Sequence, residues 1–325
     1  MKYSLSLATS NVCNNHCRYC YQDRKETNIM TYDQMIKILE TFNSRSLNWD
    51  KHVKFFGGEP MLLSNIIKEV VDQCREYTYT IITNGYFLNN DDYLKYMIGL
   101  ERVAFIFSLE ANAKTHAFFR NPNDNYNLMK ERIIELSKDY NVMINMSMNK
   151  IMFDNYEESY KNIKDLLESG IMISFYSIKG EDGFKDAEEF KKVLHSVKEN
   201  CPELIKEITK KYTKFSDAQF LCTFESCISV NSKFECYSCS WDNFKYGNIL
   251  HGENIDKIEN KLNERLALNH ISFHNCSTCE VPVGVCQISC LPFILETINS
   301  KGIEKMNDFC NKQKILYNLG GLMNE

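Results

Sequence analysis

The residues best suited to chemistry in this chain are its cysteines. There are fourteen in 325 residues, and they are unevenly placed. Cys13, Cys17 and Cys20 stand in the run Cys-Asn-Asn-His-Cys-Arg-Tyr-Cys, and nine more lie between Cys222 and Cys310; only Cys74 and Cys201 stand alone. Thiolates gathered in this way point to metal, because ligands must converge on one ion or cluster. Three thiolates can hold three irons of a [4Fe–4S] cluster and leave one iron open, which a catalytic metal requires. Zinc is the alternative, with His16 as fourth ligand, although His16 is cramped between the first two cysteines. Cys74 falls in a helical pattern and reads as a small core residue; Cys201, before Pro202, reads as an inert loop or core thiol.

Short β-rich runs alternate with helical patterns from residue 1 to about 180. Strands are predicted at Ser4–Ala8, His52–Phe56, Thr78–Ile82, Val103–Ser108, Val142–Met148 and Ile171–Ser177. Helices are predicted between them at Tyr32–Ser44, Ser64–Arg75, Asp91–Ile98, Tyr126–Ser137 and Tyr156–Glu168. Strand–helix alternation implies an α/β fold with a parallel sheet, either open or closed into a partial barrel. Ligands should then bind where loops leave the carboxyl ends of the strands. The first triad directly follows the first strand, so it falls at that end. Residues 184–214 read as a charged helical bridge between a first domain, 1–183, and a second, 215–325. The second is dense in cysteine and thin in apolar core, so metal ligation is expected to hold it together.

Composition narrows the partners. Apolar residues make up 44%, and the formal net charge is −5 with no Lys/Arg block, so no nucleic-acid surface is expected. No apolar run approaches the ~18 residues that would span a bilayer, and the N-terminus alternates like a strand, not like a signal peptide. A cytoplasmic protein is expected, in which cysteines serve metal more readily than disulfides.

The triad, with Tyr19 before its last cysteine, resembles the signature of the radical S-adenosylmethionine (SAM) superfamily. The resemblance implies a partial (β/α)6 TIM-like barrel. It also implies that SAM chelates the open iron of a catalytic cluster on Cys13, Cys17 and Cys20. An electron from that cluster then cleaves the sulfonium, and the 5′-deoxyadenosyl radical abstracts hydrogen from a substrate. Other segments agree in order. Gly57-Gly58-Glu59-Pro60, after the second strand, resembles the family's segment facing the cofactor's amino group, where glycines suit close backbone approach. Thr83-Asn84-Gly85 is similar to its ribose-side motif. Ser108-Leu109-Glu110-Ala111, with His116 and Arg120, resembles a Ser-Leu-Asp-Gly…His-Asp-x-x-Arg stretch. By that resemblance Ser108 and Arg120 would meet the cofactor's carboxylate, and Tyr19 would lie among the cofactor-binding residues. The sequence departs from the pattern at Glu110, Ala111 and Ala117.

Cys276-x2-Cys279-x6-Cys286-x3-Cys290-x19-Cys310 resembles the C-terminal motif of the SPASM subfamily, which carries two auxiliary [4Fe–4S] clusters. Carried over, Cys276, Cys279, Cys286 and Cys310 would hold one. Cys290 would hold the other with Cys222, Cys227 and one of Cys236 or Cys239. Cys239 matches the family better, but Phe234 occupies the spot of the glycine usually found upstream, and the choice stays open. A zinc ribbon on Cys236, Cys239, Cys276 and Cys279 is the competing reading; it leaves five cysteines unexplained.

SPASM proteins mostly act on peptides or proteins. The first expectation is therefore a maturase that crosslinks a ribosomally made peptide, for instance through a thioether. The second is a sulfatase-maturing enzyme that forms formylglycine; Ser240 stands where an acidic residue would be expected for it, with Asp242 offset. A non-catalytic iron–sulfur electron carrier is the reading from another class. The expected partners are a peptide or protein substrate, an electron donor such as flavodoxin or ferredoxin, and a separate leader-binding partner if this chain's own surface does not read the leader. The first strand starts near residue 4, which leaves no room before it for a peptide-recognition domain.

Overall fold

A computed structural model of the chain describes residues 3–20, 22, 27–44, 49–178, 182–213, 227–237, 245–250, 257, 260, 304, 307–308 and 310–319. Six parallel strands run in chain order across one sheet: β1 (Tyr3–Ser10), β2 (Trp49–Gly57), β3 (Thr78–Thr83), β4 (Val103–Ser108), β5 (Val142–Met148) and β6 (Met172–Ser177). Their helices are α1 (Tyr32–Asn43), α2 (Ser64–Gln73), α3 (Ala113–Phe119), α4 (Tyr126–Leu136), α5 (Lys150–Asp154) and α6 (Tyr156–Glu168). Then come α7 (Ala187–Asn200) and α8 (Pro202–Thr213).

The pairing register gives the sheet two unlike faces. Leu5, Val53 and Tyr79 lie side by side, as do Leu7, Phe55, Ile81 and Phe105. All are buried in one cluster with Met35 and Ile38 of α1 and Ile67 and Val70 of α2. The alternate positions carry Ser6, Lys54 and Thr80 in register, and at the carboxyl end Ser108 beside Asn145. Strand side chains alternate between faces, so this polar row is the face turned away from the helices.

The sheet continues past β1. β7 (Cys227–Asn231) pairs parallel with β1, and β8 (Glu235–Tyr237) and β9 (Gly247–Asn248) add antiparallel to it. The cysteine-rich part thus begins as an extension of the first sheet. Its turn accounts for the glycine that the resembled motif has where Phe234 stands, since the φ of Phe234 is 61°. That left-handed conformation favours glycine, and Phe carries a cost there. The segment Tyr246–Ile249 packs back on the turn through Tyr246 N–H to the Cys236 carbonyl (2.9 Å) and Ile249 N–H to the Phe234 carbonyl (3.1 Å).

One predicted helix is absent. Asp91–Ile98 is not α-helical; it holds a short 3-10 turn at Tyr93–Tyr96, preceded by another at Tyr86–Asn89. The run Asn89-Asn90-Asp91-Asp92 offers side-chain acceptors and donors that compete with a helical backbone, and the Asn89 and Asn90 amides do bond back to the Tyr86 and Phe87 carbonyls. Two short helices, α3 and α5, went unpredicted; each starts at an asparagine cap, Asn112 and Asn149. Cys74 caps the end of α2, half-buried against the core, and Cys201 is buried after α7, where loss of hydration raises its thiol pKa. Such a thiol is poorly reactive.

Candidate active site

Four sequence motifs meet at the carboxyl ends of β1 to β4. The triad lies on the loop after β1, with Cys13 and Cys17 half-buried and Cys20 exposed. The second motif closes directly on that loop. Gly58 N–H donates to the Ser10 carbonyl (2.5 Å), and Glu59 N–H donates to the Val12 carbonyl (2.9 Å). A Cβ on Gly58 would sit inside the Val12 carbonyl oxygen, and one on Gly57 would overlap the Ser10 carbonyl. The two glycines are therefore needed for the approach of two chain segments, where the sequence had suggested approach to a ligand.

Glu59 turns inward. Its carboxylate accepts from Met61 N–H (2.9 Å), the Thr83 hydroxyl (2.6 Å) and Asn84 N–H (2.7 Å), which ties the second motif to the third. Complete burial raises its pKa from 4.5 to about 7, and these three donors pull the other way. Pro60 opens the short 3-10 turn Pro60–Leu63 that follows. Asn84 then reaches back to the triad: its side-chain amide donates to Asn14 Oδ1 (2.8 Å) and to the Cys13 sulfur (3.7 Å).

A second strut comes from α3 and the loop between α3 and α4. His116 Nε2 lies 2.9 Å from Asp124, both buried. Asp124 accepts from the Asn121 amide (3.0 Å), which also reaches Asn15 Oδ1 (3.2 Å) inside the triad. Backbone joins them too, through Arg18 N–H to the Phe119 carbonyl (2.9 Å). A cavity of about 350 Å³ opens between residues 14–18 and 117–123. Asn14, His16, Arg18, Arg120 and Asn121 line it, and among the described residues no carboxylate does.

The third strut centres on Glu110, which follows β4. Its Oε1 accepts from the Tyr19 hydroxyl (2.6 Å) and from Arg120 Nε (2.7 Å). Its Oε2 accepts from Ser147 N–H (3.1 Å) and from the Ser147 hydroxyl. Arg120 donates onward to the Tyr176 hydroxyl (3.2 Å), and Tyr176 donates to the Tyr19 oxygen (3.1 Å). Arg120 and Glu110 are buried. Burial raises the pKa of Tyr19 well above its ordinary value and that of Tyr176 likewise, so both stay protonated donors. Ser108 sits half-buried at the end of β4, beside Asn145 and outside this network.

The donor set suits an iron–sulfur cluster. Cys13 Sγ accepts from Asn15 N–H (3.4 Å) as well as from Asn84, and N–H donors to sulfur stabilise cluster thiolates. Among the described residues no three Cys, His, Asp or Glu side chains converge on a single-ion site. Thiolates of a four-iron cluster bind separate irons and stand farther apart than the ligands of one zinc.

Of the second cysteine set, Cys236 is buried within the core of the β7–β9 extension, and Cys310 is helical, as are residues 307–308 and 311–319. Cys227 begins β7. Cys222, Cys239, Cys276, Cys279, Cys286 and Cys290 lie outside the described residues. The sequence reading passed over Ser147, Tyr176, Asn14, Asn15, Asn121 and Asp124. The rule that function gathers at the carboxyl ends of parallel strands could have found Ser147 and Tyr176, each one residue before the end of its strand, β5 or β6.

Comparison with known proteins agrees with this geometry. A family profile described as the Radical SAM superfamily matches residues 7–189. The radical SAM cyclopropyl synthase TigE of Paramaledivibacter caminithermalis is 23% identical over 89% of this chain and 67% of its own length. Among solved structures, anSMEcpe with bound AdoMet and the Cp18Cys peptide aligns with a TM-score of 0.71 and 17% identity, covering 99% of both chains. Streptococcus suis SuiB, bound to its precursor peptide SuiA, aligns with a TM-score of 0.61 and 16% identity over 91% of this chain and 73% of that one.

Proposed function

We propose a function from the premise that this chain belongs to the Radical SAM superfamily: it is a maturase that cleaves SAM reductively and abstracts hydrogen from a ribosomally made peptide. The observation that carries this reading is the triad loop, held by direct hydrogen bonds to the motifs after β2, β3 and β4.

Cys13, Cys17 and Cys20 would hold the catalytic cluster. Held there, the cluster would supply the electron for reductive cleavage of SAM bound beside it. The protein's share is to position and to shield. The N–H groups of Gly58 and Glu59 are spent on the triad loop, so a cofactor amino group at this segment would meet carbonyl oxygen, the acceptor it needs. Thr83 and Asn84 are fixed by Glu59 and would face the ribose. Ser108, at the polar face of the sheet, would donate to the carboxylate. A closed, dry site protects such a radical from side reactions.

The auxiliary clusters belong to the same proposal. Cys222, Cys227 and Cys290 would hold one cluster, completed by Cys236, which is buried beside the turn, or by Cys239. Cys276, Cys279, Cys286 and Cys310 would hold the other cluster. A flavodoxin or ferredoxin would supply electrons.

Peptide is favoured as substrate by the SPASM-like cysteine spacing and by a fold similar to proteins solved with peptides bound. Sulfatase maturation is the second reading, favoured by the alignment with anSMEcpe over 99% of each chain. A precursor peptide deuterated at its side chains, incubated anaerobically with the protein, SAM and dithionite, should pass deuterium into 5′-deoxyadenosine. Transfer from a sulfatase peptide but not from a leader-bearing precursor would replace the first reading by the second.

A further inference from the structure

Arg120 resembles a residue expected at the cofactor's carboxylate, yet its side chain is buried and already engaged. Its Nε meets Glu110 at 2.7 Å, and its terminal nitrogen meets the Tyr176 hydroxyl at 3.2 Å. Tyr19 is the point on which these groups converge: its hydroxyl donates to Glu110 and accepts from Tyr176, and its ring lies 5.4 Å from the Arg120 guanidinium and 5.8 Å from the Phe119 ring. Tyr19 sits between Cys17 and Cys20. Any force that fixes Tyr19 therefore fixes those two sulfurs.

We propose that Glu110, Arg120 and Tyr176 are positioning residues that clamp Tyr19, and through it the Cys17–Cys20 stretch, and that Arg120 acts on the cofactor only by this route. The clamp spans the site. Glu110 follows β4, Ser147 is the penultimate residue of β5 and Tyr176 that of β6, and Tyr19 belongs to the loop after β1. It binds the far edge of the six-strand sheet to its first loop.

The length of Glu110 fits this task. Its carboxylate joins Tyr19 and Arg120 on one oxygen and Ser147 on the other. An aspartate, one methylene shorter, could not reach Tyr19 across that gap without releasing Ser147. The departure from the aspartate of the resembled motif is thus explained by the partners it gains. A buried carboxylate with four donors is also well satisfied, and each lost bond leaves a buried group unpaired.

The inference rests on the cluster reading of the triad, and its test separates the two. Tyr176→Phe removes one hydroxyl and Glu110→Asp one methylene; both keep the fold's packing, and Arg120→Lys keeps the charge. Holoenzyme of each is measured anaerobically for iron, for hydrogen–deuterium exchange in the peptide covering residues 11–22, and for the electron paramagnetic resonance of the reduced protein without SAM. The clamp predicts near-normal iron, about five- to tenfold faster exchange in that peptide and an altered cluster signal in all three variants. Direct contact between Arg120 and the cofactor predicts otherwise: exchange and signal of Tyr176→Phe and Glu110→Asp would match the parent without SAM, and only Arg120→Lys would weaken SAM binding. That pattern overturns the clamp and leaves the cluster reading intact. A parent protein without iron would overturn the cluster reading itself.

Discussion

Gly58 and Glu59 show how much of the site is built from single atoms. The Gly58 α-carbon lies so close to the Val12 carbonyl that no side chain fits. Gly58→Ala should therefore push the triad loop off β2 and lower the iron bound at the first site to well under half, read by iron analysis after anaerobic reconstitution. Glu59 carries a pH signature. Its folded pKa of about 7 exceeds its ordinary 4.5, so the folded state holds a proton that the unfolded state has lost between these values. The stability this confers is full below about 4.5 and is lost as the pH rises to about 7, at most about 3 kcal/mol. Denaturant midpoints should fall across that window in the parent, and Glu59→Gln should flatten the fall. The residue types at this site were legible in the sequence, since Cys13, Cys17, Cys20 and the glycines stand in recognisable spacing. Their partners were not. Glu110 looked like a departure until its four bonds were seen, because hydrogen-bond partners distant in sequence leave no local pattern.

At the scale of elements, the six strands were legible because apolar positions alternate with period two and the helices between them carry apolar spacings of three and four. The failures were local. Asparagine caps start α3 and α5 and asparagine–aspartate runs break the predicted helix near residue 91, and in both cases side chain to backbone bonds outweigh pattern. The helical residues 310–319 could not be placed from sequence, because what fixes them is a contact across the chain. Lys312, buried, bonds Asp182 at 2.7 Å and lies 3.3 Å from Asp308, with its ammonium 5.6 Å from the Phe184 ring and 6.0 Å from the Phe190 ring. Gln313 adds a bond to Ser177 at the end of β6 (3.1 Å). Removing one member of a buried pair strands the other charge, at about 3–5 kcal/mol. Lys312→Met should therefore speed amide exchange in 310–319 strongly, and Lys312→Met with Asp182→Leu should recover much of the protection. If the single variant exchanges like the parent, this pair does not anchor the helix.

At the scale of the molecule, the sheet that carries the first triad also carries the start of the cysteine-rich part, since β7 lies directly against β1. Cys227 lies beside Ser4 at the amino end of β1, and the loop of Cys13, Cys17 and Cys20 leaves the opposite, carboxyl end of that strand. Among the described residues no helix is long and apolar enough to cross a membrane. The central claim is that the triad loop, clamped by the motifs after β2 to β4, supports reductive cleavage of SAM. The most direct measurement is 5′-deoxyadenosine formed by anaerobically purified protein with SAM and dithionite, compared with a variant in which Cys13, Cys17 and Cys20 are all replaced by Ala. The account predicts 5′-deoxyadenosine from the parent and none above background from the variant, with iron lower by about one cluster's worth. Equal product from both proteins, or none from an iron-replete parent, would contradict it.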